Sequence, residues 1–304
     1  MSSESFSKSN VPPHPVWSVS ALGRLIKLFY RIPLLFAAAV VITGCATLIP
    51  KVPLLGPEGT SLPGKVVWHD LVTPDMDKAR NFYAGLFGWS FEDLSDGYAI
   101  ARHNGRLVAG IAKLDRSGRS SNWLPLVSVT DIAKAQKITR TAGGDVVLGA
   151  FELRGRGQVA VLKDPQGAAF GVLQSDHGDP QDRIPPVNTW LWNEIWTNNI
   201  AGATAYYEEL FDYGEEVFRI GSVSYDFFVR DGKPRAGLLA KPDPQIPNTW
   251  LCYLRVNDVA AVTDKARALG GSVLMAPNAK VRDGRVAILT DPSGAGFVVQ
   301  EVRK

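Results

Sequence analysis

The sequence predicts an α+β protein that consists of two tandem modules, and three observations carry this prediction. The same order of motifs occurs twice along the chain. Within each copy, apolar residues alternate in short runs typical of strands and then recur with helical spacing. Turns that contain glycine or proline separate these runs. Strands and helices are therefore mixed within each module.

The repeat is clearest at the start of each copy. Residues 67–87 (VWHDLVTPDMDKARNFYAGLF) align without gaps on residues 191–211 (LWNEIWTNNIAGATAYYEELF). A later match joins DPQGAAF at 164–170 to DPSGAGF at 291–297. The body of the chain is therefore a tandem duplication. Its predicted parts are a first module at 65–174, a linker at 175–188 and a second module at 189–304.

Each module is predicted to contain two successive units, and each unit consists of a strand, a helix and several further strands. The first helix follows Asp75, because an aspartate before helical apolar spacing can cap the first turn. The second helix ends at Gly143-Gly144, a typical helix stop. The predicted segments of the first module are VVWHDLV, MDKARNFYAGLF, YAIAR and LVAGIAKL, followed by WLPLVSV, DIAKAQKITRTAGG, GDVVLGAF, GQVAVLKD and AAFGVLQ.

The N-terminus has the pattern of an export signal. Residues 32–50 carry no charge and follow Arg24, Lys27 and Arg31, which is a basic region ahead of an apolar one. The run contains Ile42-Thr43-Gly44-Cys45, which resembles the lipobox of bacterial lipoproteins, cleaved before a cysteine that receives lipid. The alternative is an uncleaved membrane-spanning helix, since nineteen uncharged residues nearly suffice to cross a bilayer.

The lipoprotein interpretation predicts a location as well as an anchor. Residues 1–45 are then the signal peptide, and the proline- and glycine-rich residues 46–64 are a flexible tether. Ala46 is not the aspartate that retains many lipoproteins in the inner membrane of Gram-negative cells. The prediction is therefore a protein of the cell envelope, lipid-anchored at Cys45, in the outer membrane and facing the periplasm.

Charge and cysteine usage exclude some functions. Removing residues 1–45 leaves 29 basic and 29 acidic residues, so no excess positive charge is available to bind nucleic acid. Once Cys45 is lipidated, only Cys252 remains, and no intramolecular disulfide can form. Cys252 lies in the apolar run WLCYLRV and is predicted to be a buried small hydrophobic residue.

The motifs together resemble the vicinal oxygen chelate superfamily, which includes glyoxalases, bleomycin-resistance proteins and extradiol dioxygenases. The resemblance covers residues 65–304 and rests on the helix motif from Asp75 to Trp89, the Gly-Gly helix stops and the D-P-x-G-x-x-F turns. It implies that each module is a pair of βαβββ units, whose mixed sheet curls around a cavity. Metal ligands, when present in the family, lie on the first and last strands of these units.

The resemblance also identifies the positions where a metal ligand would stand. In this sequence they hold residues that do not bind metals: Trp68, Leu124, Gly171, Trp192, Leu251 and Val298. His69 is next to one of these positions, but alternate residues of a strand face opposite sides of the sheet. His69 is therefore predicted to be structural, hydrogen-bonded on the helix side, and we expect no metal and no other cofactor.

The candidate site residues are aromatic residues that share a strand face with a carboxylate. Strand alternation predicts that Trp68 and Asp70 face the first cavity, and that Trp190, Trp192, Glu194 and Trp196 face the second. Such a face suits a flat or cationic ligand. The alternative is that the tryptophans are core residues and that Asp70 and Glu194 only bind neighbouring side chains. Because Trp196 replaces Val72, we expect the second module to hold the stronger site.

Three functions remain open. The first is a metal-free, membrane-tethered protein that binds a small aromatic or hydrophobic molecule, neutral or cationic. The second is a metal-independent enzyme of the lyase, isomerase or hydrolase type, with Asp70 or Glu194 as general base. The third is an interaction protein of the envelope whose pockets are vestigial. The first is favoured, because no nucleophile and base stand at a recognisable spacing and no phosphate-binding loop is present.

Overall fold

The computed structural model describes residues 52–114, 120–220 and 223–302. Its helices are α1 (Met76–Phe87), α2 (Ile132–Thr141), α3 (Ile200–Phe211) and α4 (Val259–Ala268). The first module contains strands β1 (Val66–Thr73), β2 (Ser90–Ser95), β3 (Tyr98–His103), β4 (Arg106–Lys113), β5 (Asn122–Ser128), β6 (Asp145–Leu153), β7 (Gly157–Lys163) and β8 (Ala169–Ser175). The second contains β9 (Trp190–Thr197), β10 (Gly214–Ile220), β11 (Val223–Arg230), β12 (Lys233–Ala240), β13 (Thr249–Val256), β14 (Ser272–Met275), β15 (Val286–Thr290) and β16 (Gly296–Glu301).

Each module forms one eight-stranded mixed sheet. The strand order is β2-β3-β4-β1-β5-β8-β7-β6 in the first module and β10-β11-β12-β9-β13-β16-β15-β14 in the second. In both, the first strand pairs parallel with the fourth and antiparallel with the fifth. The sheet therefore joins two βαβββ units at its centre, which confirms the predicted fold class. The sheets are curled and not closed.

Local sequence accounts for the helix boundaries. Asp75 Oδ1 accepts a hydrogen bond from Lys78 N at 2.9 Å, so α1 has the predicted N-cap. The helix ends at Gly88, whose φ of 70° lies in the left-handed region that favours glycine. At the matching position of the second module, Asp212 adopts φ 54° after α3. Asx residues tolerate this conformation better than most others.

The first helix of each module, α1 or α3, packs against the sheet of the other module. Phe82 of α1 meets Phe297 of β16 with ring centroids 6.2 Å apart, and Phe170 of β8 meets Tyr206 of α3 at 6.5 Å. These two contacts are equivalent under the repeat. Each lies in a buried apolar cluster that contains residues of both modules. The two modules therefore share their cores.

The D-P-x-G turns tie the modules together through hydrogen bonds. Asp164 accepts from the backbone N–H of Ala168 at 2.8 Å through Oδ1, and from Tyr207 Oη of the other module at 2.9 Å through Oδ2. Trp250 Nε1 donates to the same Tyr207 oxygen at 2.8 Å. Asp291, Tyr83 and Trp123 repeat this arrangement in the opposite direction. The aspartate of each D-P-x-G turn thus stabilises its own turn and also hydrogen-bonds a tyrosine of the other module.

Residues 52–64, expected to be a flexible tether, are packed against the first module. Val52 is buried, and its N–H donates to Arg154 O at 2.9 Å. Leu62 N donates to Asp179 Oδ2 at 2.7 Å. A side chain at Gly56 would overlap the carbonyl of Asp179, so glycine here permits close backbone approach as well as flexibility. Composition alone does not distinguish these two uses of glycine.

Within the described residues, no helix is long and apolar enough to cross a membrane. The apolar run at 32–50 and Cys45 lie outside these residues.

Candidate functional site

Asp70 lies on the concave face of the first sheet, as predicted. It is partly buried, and its Oδ1 accepts hydrogen bonds from Trp68 Nε1 and from Tyr98 Oη, both at 2.8 Å. Both bonds fall on the same oxygen. Among the residues that the structure describes, none donates to Oδ2. Burial raises the pKa of the Asp70 carboxyl, although the Coulombic attraction of Arg156 and the two hydrogen bonds oppose this rise.

A glycine on the neighbouring strand makes room for this group. Gly110 of β4 pairs with Asp70 of β1, and a Cβ at this position would overlap both Asp70 Oδ1 and Tyr98 Oη. Gly237 stands in the same register opposite Glu194 in the second sheet and faces Tyr225 Oη in the same way. Both modules therefore contain the same arrangement of a carboxylate, a tyrosine and a glycine.

Arg156 completes the first face. It comes from the turn between β6 and β7, flanked by Gly155 (φ 84°) and Gly157 (φ 119°), and is only 1% exposed. Its guanidinium carbon lies 4.1 Å from the centre of the Trp68 ring, a cation–π contact. Its Nη2 donates to Pro53 O at 3.1 Å. Nε and Nη1 are buried without a hydrogen-bond partner among the described residues.

Apolar side chains fill the rest of the first face. Val52 and Leu55 pack there with Trp68, Ile100 and Leu124. The N-terminal segment thus occupies space on the face that a ligand would need.

Glu194 of the second face is surrounded by donors. It is fully buried. Oε1 accepts from Tyr225 Oη at 2.9 Å and from Arg282 Nη2 at 2.6 Å. Oε2 accepts from Trp196 Nε1 at 3.2 Å and from Tyr253 Oη. Four donors, one of them a cation, therefore occupy both oxygens of Glu194.

Arg282 is held as firmly as Glu194. Its Nη1 donates to Gln300 Oε1 at 2.7 Å, and its pKa is raised above the ordinary value by the Glu194 charge and the nearby Tyr253 and Tyr225, which outweigh burial. Its backbone φ of 49° is unusual for a bulky residue. The surrounding contacts therefore hold Arg282 in a strained conformation so that it reaches Glu194.

The predicted tryptophans of the second module lie at different places. Trp196 is buried beside Glu194, and Trp192 is partly exposed and donates to Tyr225 Oη at 2.8 Å. Trp190 was predicted on the same face, and this was wrong. A β-bulge between Tyr253 and Leu254 shifts the register, so that Trp190 packs on the opposite face against Trp123, with ring centroids 4.7 Å apart.

His69 lies on the face opposite Asp70, as strand alternation predicts. It is buried, hydrogen-bonds Asn193 Oδ1 through Nε2 at 2.9 Å and stacks on Trp190 with ring centroids 4.1 Å apart. Burial lowers the pKa of His69 to about 3. Cys252 is buried as predicted, and burial raises the pKa of its thiol above the ordinary value.

The residues at the expected metal-ligand positions do not suit a metal. Trp68, Leu124, Leu251 and Val298 are buried in the apolar clusters of the two concave faces, and Gly171 has no side chain. Trp192 donates its only N–H to Tyr225. Across residues 52–114, 120–220 and 223–302, no group of three or more histidine, cysteine, aspartate or glutamate side chains could hold an ion.

Two arginines and three tyrosines that complete the faces were not identified from the sequence: Arg156, Arg282, Tyr98, Tyr225 and Tyr253. Tyr98 and Tyr225 match under the repeat, and that match was a usable signal. Arg156 and Arg282 come from turns between strands, where strand alternation does not predict direction. Their glycine-rich contexts, RGRG and RDG, mark only that the backbone turns sharply.

Comparison with known proteins agrees with this architecture. The model of the Glyoxalase/Bleomycin resistance protein/Dioxygenase superfamily matches residues 65–172 and 187–299, one match for each module. The chain belongs to this superfamily.

Two kinds of relative share about a third of their residues with the chain. "Putative glyoxylase CFP32" of Mycobacterium bovis is 32% identical over 241 residues, which cover 76% of this chain and 92% of that protein. "Anthracycline biosynthesis protein DauV" of a Streptomyces species is 32% identical over 263 residues, covering 80% of this chain and 94% of that protein.

Solved structures support the fold. The Mn(II)-bound glyoxalase of Novosphingobium aromaticivorans superposes with a TM-score of 0.54 at 13% identity, over 80% of this chain and 84% of that one. The E323L mutant of homoprotocatechuate 2,3-dioxygenase from Brevibacterium fuscum superposes with a TM-score of 0.53 at 16% identity, over 83% and 74%. At these identities the likeness concerns the fold alone.

Proposed function

We propose that this protein binds a small aromatic or hydrophobic molecule on its concave faces without a metal ion. One observation carries the proposal: aromatic side chains surround Asp70 on one face and Glu194 on the other, while apolar residues stand at the metal-ligand positions. Aromatic walls with a few placed polar groups are typical of small-molecule sites. The predicted contact residues are Trp68 and Asp70 in the first module and Trp192, Glu194 and Trp196 in the second.

The first face is the better candidate, in contrast to the expectation from sequence. Both oxygens of Glu194 are occupied and Arg282 neutralises its charge, so Glu194 has no free atom to offer a ligand. Asp70 is partly exposed and keeps one oxygen without a donor among the described residues. The second face offers Trp192, which is partly exposed and could stack on an aromatic ligand.

The relatives' names are consistent with a flat ligand. Two proteins of the same family, DauV and DnrV, are named for anthracycline biosynthesis, and an anthracycline is a polycyclic aromatic molecule. These names support the class of ligand for this chain and not its identity.

A metal-independent enzyme is the second candidate, and the environment of Asp70 favours it. A carboxyl whose pKa is raised by burial can take up a proton near neutral pH more readily than an exposed one. Asp70 would act as general base toward an acidic C–H or O–H of a bound ligand. Glu194 is less suited, because four donors hold it in place.

We further propose that the chain is lipidated at Cys45 and held at the outer membrane, facing the periplasm. Six residues separate Cys45 from Val52, where contact with the first module begins. Fully extended, that stretch spans roughly 25 Å. The first module would then lie close to the lipid surface.

Calorimetric titration of the full-length chain in detergent tests the binding proposal. 2-Naphthol is the aromatic probe, and decahydro-2-naphthol is a saturated probe with the same skeleton. We expect 2-naphthol to bind more tightly, and Trp68→Leu to weaken it roughly 2- to 30-fold, the range of one stacking or cation–π contact. Trp192→Leu is the matched change in the second module, and a smaller effect is expected there. Absence of binding by both probes would reject the proposal and favour an envelope interaction protein with vestigial pockets.

A further inference from the structure

Arg156 has unused hydrogen-bonding capacity on the first concave face. A guanidinium has five N–H donors, and burying donors without acceptors costs free energy. Arg156 is 1% exposed, yet Nε and Nη1 have no acceptor among the described residues. Arg282 of the second face differs, because its Nη1 and Nη2 bind Gln300 and Glu194 and only Nε lacks an acceptor.

The partner that Arg156 does have comes from the N-terminal segment. We call residues 52–55 the strap. Its Pro53 carbonyl accepts from Arg156 Nη2 at 3.1 Å, and its Val52 and Leu55 side chains pack with Trp68 and Ile100. Leu54 between them points outward and is 41% exposed. The strap thus presents one oxygen acceptor to the arginine and an apolar body to the tryptophan.

Among the described residues, few hydrogen bonds hold the backbone of the strap, and the apolar packing of Val52 and Leu55 adds to them. Besides the Arg156 bond, its backbone is fixed by the hydrogen bond from Val52 N to Arg154 O. The residues after it are anchored independently, by Leu62 N on Asp179 and by Gly59 N on His177 O. Release of residues 52–55 therefore leaves the rest of the N-terminal segment attached.

We propose that the first module binds small apolar molecules that carry a carboxylate or a similar oxygen anion, and that Arg156 binds this group where the Pro53 carbonyl now lies. The strap is an internal substitute for the ligand and leaves when the ligand enters. This inference rests on the proposed function and adds the charge of the ligand: anionic and not cationic. Trp68 stacks beneath Arg156 and contacts the apolar body of the ligand.

The test uses three naphthalene compounds of similar size and the full-length chain in detergent. They are 2-naphthoate, 2-ethylnaphthalene and the (2-naphthylmethyl)trimethylammonium ion. A charge-assisted hydrogen bond favours the anion, so we expect 2-naphthoate to bind roughly tenfold or more tightly than 2-ethylnaphthalene. Arg156→Gln should abolish this preference, so that 2-naphthoate binds no more tightly than 2-ethylnaphthalene.

Arg154→Gln is the matched control, because it removes an equal charge from an exposed position of the same turn. It should leave the preference for 2-naphthoate intact. The double change Val52→Ser with Leu55→Ser weakens the packing of the strap, and the affinity for 2-naphthoate should rise several-fold. Near-ultraviolet circular dichroism checks that each variant is folded.

The outcomes separate this inference from the proposed function. Equal binding of all three compounds, or an Arg156→Gln protein that still prefers 2-naphthoate, would overturn the inference and leave the proposed function standing. Tighter binding of the trimethylammonium compound would also overturn it. Absence of binding by every compound, in the wild type and in the strap variant, would reject both.

Discussion

His69 hydrogen-bonds Asn193, the residue that occupies the same position in the other module. The two side chains meet 2.9 Å apart at the centre of the molecule, where the first strands of the two sheets approach each other. A contact between a residue and its repeat equivalent is expected where an approximate two-fold axis relates two modules. This contact thus gives His69, the most suggestive metal ligand of the sequence, a role in joining the modules.

The buried imidazole predicts a pH dependence of stability. The pKa of His69 falls from 6.5 to about 3 on folding. Well above pH 6.5 the residue is therefore neutral in both the folded and the unfolded state, and it does not make the free energy of unfolding depend on pH. As the pH falls from 6.5 to 3, the unfolded chain takes up the proton and the folded chain does not. The free energy of unfolding should then decrease by up to about 1.4 kcal/mol per pH unit.

Urea unfolding of His69→Asn across pH 4 to 8 measures this contribution. The variant should lose the part of the acid slope that His69 causes, whatever its stability at pH 7.5. His103→Asn, at the partly exposed end of β3, is the control and should keep the full slope. Identical slopes for wild type and His69→Asn would show that folding does not lower the pKa of His69.

Glu194 and Asp70 should respond differently to neutralisation. Glu194→Gln removes one partner of a fully buried ion pair and leaves Arg282 uncompensated, so it should cost about 3–5 kcal/mol. Asp70→Asn should cost far less, since burial already favours the neutral form of this group. Urea unfolding at pH 7.5 compares the two variants. A fully stable Glu194→Gln protein would contradict the structural role of Glu194.

A side chain added at Gly110 should disturb the first face. Gly110→Ala places a methyl group on Asp70 Oδ1 and Tyr98 Oη, and such overpacking costs about 1–3 kcal/mol. Gly149→Ala, in β6, has open space around its Cβ and is the matched control. Thermal unfolding should show a lower melting temperature only for Gly110→Ala. An unchanged melting temperature would mean that the carboxylate and tyrosine move apart at little cost.

Elemental analysis tests the metal-free expectation. Purified protein should contain no stoichiometric zinc, iron or manganese, because Trp68, Leu124 and Gly171 and their counterparts supply no ligand. Its melting temperature should be the same with and without a strong chelator. One equivalent of a transition metal per chain, lost together with stability in chelator, would contradict this prediction.

Mass spectrometry and membrane fractionation test the lipid anchor. The chain should be cleaved before Cys45 and carry lipid on that residue, and should partition with the outer membrane in a Gram-negative host. Cys45→Ala should remain unprocessed. A Cys45→Ala protein with the same mass and the same partition as wild type would show that the apolar run is an uncleaved anchor or is removed in another way.

The sequence predicted elements whose signals are local and missed those that depend on distant contacts. The structure places α1 at Met76–Phe87, the predicted segment, because its cap and its apolar spacing lie within the helix itself. Strand β2, Ser90–Ser95, was not identified, since it lies at a sheet edge with mostly exposed polar side chains and no apolar alternation.

The same reasoning explains the candidate site. Strand alternation placed Trp68 and Asp70 on one face of the first sheet and Glu194 on the matching face of the second, as the structure does. The reason is that alternate residues of a regular strand point to the same side of its sheet. Strand alternation failed at Trp190, because a bulge adds a residue without a sequence signal. The strap and Arg156 meet across about a hundred residues of chain, and no pattern within either segment indicates the other.

The exchange of tyrosines between the D-P-x-G turns has a consequence for how such a chain can evolve. Asp164 needs Tyr207 and Asp291 needs Tyr83, so the contact resembles the interface of a symmetric homodimer whose subunits have been fused. Fusion makes this pairing intramolecular, and no dilution can separate the halves. In a true homodimer every substitution appears on both subunits at once. Here each module can acquire substitutions independently of the other. The second module can therefore keep the buried Glu194–Arg282 pair, which stabilises it, while substitutions in the first module change its ligand.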